Sequence, residues 1–108
     1  MSCIFCRIAA GEIPSPRVLE TPDLIAIRDI APQAPAHLLV IPRRHVESLA
    51  SLEDASLGGK LLEGVREAAR LAGLAEYRLI ANTGASAGQT VFHLHFHVLG
   101  GRPLGALG

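Results

Sequence analysis

Long hydrophobic runs, net charge and cysteine are all scarce in this 108-residue chain. No stretch reaches the roughly 20 apolar residues that a membrane-crossing helix needs, so no membrane partner is expected. Met1-Ser2-Cys3 opens without a basic region followed by an apolar run, so no secretory signal is read and a cytoplasmic location is expected. Ten basic residues against ten acidic ones leave a formal charge of zero, which removes any broad attraction for nucleic acid. A phosphate-bearing ligand must therefore be gripped locally. There is no repeat, linker or low-complexity segment, and a hydrophobic content of 49% suits one globular domain over residues 1–108.

The two cysteines, Cys3 and Cys6, form a Cys-x-x-Cys pair. A disulfide between them would close a very short loop, stabilise little, and be reduced in a cytosolic compartment. A thioredoxin-like redox motif would follow a strand and open a long helix in a βαβ pattern, which is absent here. Metal binding is the strongest reading left. Two thiolates supply half of a zinc site, so two further ligands must come from elsewhere in the chain.

Apolar periodicity lays out the elements. Ile4, Phe5, Ile8 and Ala9 recur at helical spacing and predict a short helix ended near Gly11. Arg17 to Glu20 and Leu24 to Arg28 predict two strands around the turn Thr21-Pro22-Asp23. His37 to Ile41 is a nearly continuous apolar run, as in a strand buried on both faces. Ser51 to Gly73 predicts the principal helix, capped at Ser51 and burying Leu57, Leu61, Val65, Ala68 and Ala72. Tyr77 to Ala81 and His93 to Leu99 complete five strands. One helix between strand runs does not make a repeating βαβ pattern, so the expected fold is α+β: a five-stranded antiparallel sheet with one long and one short helix, both on one face.

The richest segment is His93-Leu94-His95-Phe96-His97. Alternation argues a strand, which lines the three imidazoles along one face and puts Leu94, Phe96 and Val98 on the core side. Imidazole exchanges its proton near neutral pH, so a row of three suits nucleophilic attack, proton transfer or metal binding. Asn82 to Thr90 runs directly into this strand. Its small residues let backbone amides approach a ligand, and the Asn82 and Thr90 side chains can add hydrogen bonds to phosphate oxygens.

These residues resemble the histidine triad family, whose signature is His-φ-His-φ-His-φ-φ with φ apolar. The likeness extends over Cys3-Ile4-Phe5-Cys6, Asp29 to His37, Val40 to His45, Gly88-Gln89-Thr90 and Gly100-Gly101-Arg102, and is nearest the nucleotide-binding branch. That resemblance implies hydrolysis of purine nucleoside 5′-phosphoramidates, with His95 as nucleophile and His97 and His37 managing charge and protons beside the phosphate. It implies phosphate contacts from Asn82, Gly88 and Thr90, ribose contacts from Asp29, and a base cleft of Phe5, Ile8, Ile27 and Ile30. It also implies a structural zinc on Cys3, Cys6, His45 and His93, no organic cofactor, and a homodimer with the helix and last strands at its interface. The branch often carries a Trp-Pro-Pro-Gly type of tail, whereas this chain has no tryptophan. Competing readings are a dinucleoside polyphosphate hydrolase, a nucleotide-binding regulator with little turnover, and an enzyme whose three histidines share one catalytic metal.

Overall fold

The computed structural model describes residues 3–106. Helix α1, Ile4–Ala9, precedes the strands β1, Arg17–Glu20, β2, Leu24–Arg28, and β3, Ala36–Pro42; helix α2, Ala55–Leu71, separates these from β4, Tyr77–Ile80, and β5, Phe96–Gly100. The strands form one sheet in the order β1-β2-β3-β5-β4. Every neighbouring pair is antiparallel. The last strand thus enters between β3 and the edge strand β4, and its residues acquire neighbours from two distant parts of the chain.

Each sheet face carries its own apolar cluster. Leu57, Leu61, Val65 and Ala68 of α2 pack on Leu24, Ala26, Leu38 and Val40 and on Leu94, Phe96 and Val98. The opposite face gathers Phe5 and Ile8 of α1 with Ile25, Ile27, Leu39 and Ile41. The helices therefore lie on opposite faces, not on one. The reason is legible in β2 and β3, whose burial is nearly continuous: strands that are apolar on both sides need cover on both sides. Gly64 lets α2 approach closely, because a Cβ there would stand 2.7 Å from Leu24 Cδ2.

Two boundaries differ from expectation by three residues or more, the other strand and helix ends by no more than two. Helix α2 starts at Ala55 with Asp54 as its cap, whose side chain accepts from the Leu57 amide, while Leu49–Ser51 forms a separate 3-10 turn. The carboxylate satisfies an amide that Ser51 is too far back to reach. The fifth strand starts at Phe96, so His93 and His95 precede the ladder. The backbone there is paired outside the sheet: the His93 carbonyl accepts from the His95 ring at 2.7 Å and the Leu94 amide donates to the Val46 carbonyl at 2.6 Å, and the ladder begins only after them. Among the described residues no helix is long and apolar enough to cross a membrane.

Candidate functional site

Register places the polar groups on the α1 face. His97 stands opposite Leu39 on one side and Ile80 on the other, and Leu99 stands between His37 and Arg78. Directly paired residues share a face, so His37, His97 and Arg78 emerge together beside α1.

Each histidine's hydrogen-bond partners determine which ring nitrogen carries hydrogen. His95 Nδ1 lies 2.7 Å from the His93 carbonyl, an obligate acceptor. Nδ1 is therefore the donor and Nε2 keeps a free lone pair. His37 has the same tautomer question with the opposite partner: its Nδ1 accepts from the Gln33 amide at 3.0 Å, so its hydrogen is on Nε2. That nitrogen faces His97 Nδ1 at 2.9 Å and Asp29 Oδ2 at 3.4 Å. His97 Nδ1 accepts, which leaves the His97 hydrogen on Nε2. A directed chain thus runs from the Gln33 amide through two imidazoles.

Asp29, His37 and His97 also lie close enough together to hold a metal ion. Their hydrogen bonding opposes it, because His37 Nε2 must stay protonated while Gln33 occupies Nδ1. Burial, reinforced by the charges of His95 and His37 and opposed by Asp29, pushes His97 down to about 4. Burial likewise lowers His37, against an upward pull from Asp29. In the free site both rings are neutral at pH 7.

A second cluster gathers Cys3, Cys6, His45 and His93, whose ligand atoms all lie within 4.8 Å of one another. His93 is fully buried, and its Nε2 donates to the Pro42 carbonyl at 2.8 Å, turning a bare Nδ1 into the cluster. From Nδ1 the distances are 3.3 Å to Cys3 Sγ, 3.5 Å to Cys6 Sγ and 3.2 Å to His45 Nδ1; Cys6 Sγ to His45 Nδ1 is 3.4 Å. A tetrahedral ion with Zn–S near 2.3 Å and Zn–N near 2.0–2.1 Å would set such edges at about 3.3–3.6 Å. The four residues fit a metal. Burial, then the adjacent Cys3, raises the Cys6 thiol, so that thiol resists ionising until a cation lies beside its sulfur. The three triad rings do not converge on one ion: His93 faces the cysteines, His95 the His93 carbonyl, and His97 the ring of His37.

Beside the histidines opens a cleft of about 330 Å³, lined among others by Phe5, Ile8, Ile27, Asp29, Thr90, His95 and His97. Phe5 presents an edge to the His95 ring, with centroids 5.1 Å apart. Ile30 also lines the cleft but is 95% exposed, so it stands on the rim and does not enclose a ligand in this chain alone. Asp29 divides its carboxylate: Oδ1 accepts from the Ala31 amide at 2.8 Å, and Oδ2 faces His37. Asn82 lines a separate cavity on the far side of His97, and Gly88 packs near it, its added Cβ 3.6 Å from Asn82 Nδ2.

Three contributors escaped sequence reasoning. Leu39 and Val91 line the cleft; the antiparallel register that seats Leu39 opposite His97 was the signal for the first. Gln89 is buried and staples the glycine loop, accepting from the Gly84 amide and donating to the Glu47 and Val91 carbonyls.

An antiparallel sheet with two apolar faces, a histidine chain and an adjoining ligand-sized cleft defines a histidine-based α+β scaffold. The chain belongs to the HIT domain family, which residues 10–104 match. It is 46% identical to Protein HitA of Neisseria gonorrhoeae over 92% of this chain and 95% of that protein. A histidine triad protein from Clostridium difficile superposes with a TM-score of 0.94 at 38% identity, covering 100% of this chain and 97% of the other. A HIT family hydrolase from Legionella pneumophila gives 0.90 at 43% identity, covering 94% and 95%. The five-stranded antiparallel α+β fold matches these structures.

Proposed function

We propose that the protein hydrolyses purine nucleoside 5′-phosphoramidates through a covalent nucleotidyl intermediate on His95. The carrying observation is the His95 ring: its Nδ1 hydrogen is committed to the His93 carbonyl, which leaves a bare Nε2 at a ligand-sized cleft. Asp29 would bind ribose hydroxyls, Phe5, Ile8, Ile27 and rim residue Ile30 would flank the base, and Asn82, Gly88 and Thr90 would orient the phosphate.

In the first step His95 Nε2 gives its electron pair to the α-phosphorus, and the P–N bond to the amine breaks with its electrons on the departing nitrogen. His97 supplies that nitrogen's proton. The ring is neutral when the site is free, and the charge of the bound phosphoryl group favours its protonation. As the ring gains its second proton, the His37 Nε2 hydrogen shifts its bond from His97 Nδ1 to Asp29 Oδ2, 3.4 Å away, and that carboxylate balances the imidazolium. Water then attacks phosphorus and gives a proton to the now neutral His97, the P–Nε2 bond breaks with its electron pair returning to His95, and the nucleoside monophosphate leaves. Splitting one displacement in two and placing donors where charge develops lower each barrier.

Zinc on Cys3, Cys6, His45 and His93 would tie α1 and the chain after β3 to the segment before His95. It would supply only cross-linking, four protein ligands being a closed set. A homodimer is supported by half-exposed Leu62 and Leu71 on α2 and Tyr77 and Leu79 on the edge strand, and pairing of that edge would extend the sheet. Free Cys3 and Cys6 thiols suit a reducing, cytoplasmic compartment.

The test is incubation with adenosine 5′-phosphoramidate, rapid acid-free quench and peptide mapping. A nucleotidyl group on the His95 peptide, absent in His95→Ala with a fall in turnover of at least about a thousandfold, supports the reading. Faster turnover of diadenosine polyphosphate, or nucleotide binding without turnover, refutes it.

A further inference from the structure

Beyond His97, on the side away from the apolar cleft, lies a second cavity of about 560 Å³. Its wall combines two guanidinium groups, Arg78 and Arg102, with the Asn82 and Gln33 amides and with the apolar Ile80 and Leu104. No aspartate or glutamate lines it. Among the described residues neither arginine has a carboxylate partner: Arg78 donates to the Gly105 carbonyl at 2.8 Å, and Arg102 donates to the carbonyls of Pro103 and Gln33 at 2.9 and 3.3 Å. A guanidinium has five N–H donors, so each retains several for a ligand. The carbonyls hold the two groups in place without neutralising them.

The nucleoside cleft and this cavity share one residue of the proposed machinery, His97. The proposed function assigns the nucleoside to the first, and the group leaving phosphorus must then depart elsewhere. We infer that the second cavity is the leaving-group subsite and selects amines that carry a carboxylate, held by Arg78 and Arg102. This inference rests on the phosphoramidate reading. The planar fork of arginine matches a carboxylate with two parallel hydrogen bonds. Ile80 and Leu104 provide apolar wall for an alkyl segment between nitrogen and carboxylate, which a polyphosphate chain does not contain. Arg78 lies on the edge strand, but its side chain belongs to the α1 face by register with Leu99 and His37. Pairing of the strand edge in a dimer uses backbone groups and leaves that face available.

The test uses two adenosine 5′-phosphoramidates of equal size, one N-linked to glycine and the other to glycinamide, so that only the charge differs. Affinity for the full-length His95→Ala protein is measured by calorimetry, independently of catalysis, and kcat/KM for the wild type in parallel with unsubstituted adenosine phosphoramidate. The glycine conjugate is expected to bind about 10- to 100-fold more tightly, the span of one charge-assisted contact. Arg78→Gln and Arg102→Gln, each placed in the His95→Ala background, should each shrink that ratio. Equal affinity for the two conjugates, or a ratio that both substitutions leave intact, overturns the inference. Arg78-dependent binding of diadenosine tetraphosphate without a glycine preference also overturns it by assigning the subsite to phosphate. Failure to turn over unsubstituted phosphoramidate refutes the hydrolase reading instead, and the binding ratio still decides the subsite.

Discussion

Nucleotide binding should draw a proton into the site at neutral pH. Burial and the neighbouring imidazoles hold His97 down to about 4 when the cleft is free, so about one molecule in a thousand carries the proton there at pH 7. A phosphoryl charge about 4 Å from the ring is worth about 4 kcal/mol at an effective dielectric of 20. That is about 3 pKa units and moves His97 to about 7. The sign follows: the bound state holds more protons than the free state, so affinity improves as pH falls through this range. Adenosine monophosphate, the proposed product, is the ligand to use. Titration calorimetry in buffers of differing ionisation enthalpy should give an uptake of about 0.9 proton at pH 6, about half at pH 7 and about 0.1 at pH 8, after subtraction of the His97→Gln trace. The subtraction removes the proton that the phosphate itself exchanges. An uptake that survives unchanged in His97→Gln, or that does not vary with pH, refutes the electrostatic account of this ring.

Untagged protein prepared without chelator should contain about one zinc per chain, and Cys6→Ser should lower that content and reduce Tm by about 5 °C or more, the effect of about 1 kcal/mol in a domain of this size. Zinc far below one per chain by elemental analysis refutes the site. Two glycines of α2 should respond oppositely to alanine. A Cβ at Gly59 meets nothing within 4 Å, so Gly59→Ala should gain about 0.5–1 kcal/mol from helix propensity alone. A Cβ at Gly64 would stand 2.7 and 3.1 Å from the methyls of Leu24, which is 2% exposed. Overpacking of about 1–3 kcal/mol there outweighs the propensity gain. Urea denaturation should therefore show a net loss of about 1 kcal/mol for Gly64→Ala, and a gain there instead would contradict the packing.

Apolar period made most of the fold readable. The run from His37 to Ile41 announced a strand covered on both faces, and the same fact should have placed α1 and α2 on opposite sides of the sheet. The α2 stripe identified its buried residues, but Ser51 and Asp54 both resemble caps, and only three-dimensional reach to the Leu57 amide chooses between them. Alternation placed Leu94, Phe96 and Val98 in the core. It could not show that the His93 carbonyl accepts from a side chain, and so it ran the strand three residues too far. The set Cys3, Cys6, His45 and His93 was legible only through family likeness, since ligands this far apart in sequence carry no local pattern. Arg78 and Arg102 gave no signal beyond charge, and their common cavity arises from β5 entering beside β4.

The orientation of the histidine rings traces back to main-chain atoms: the His93 carbonyl for His95, the Pro42 carbonyl for His93, and the Gln33 amide for His37 and, through the His37 ring, for His97. Main-chain atoms are the same whatever residue occupies a position. Exchanging the side chain of Gln33 leaves its amide in place, and any residue but proline at that position can supply it. Sequence drift around the cleft can therefore remodel what the site admits without resetting the tautomers, so long as the path of the backbone is kept.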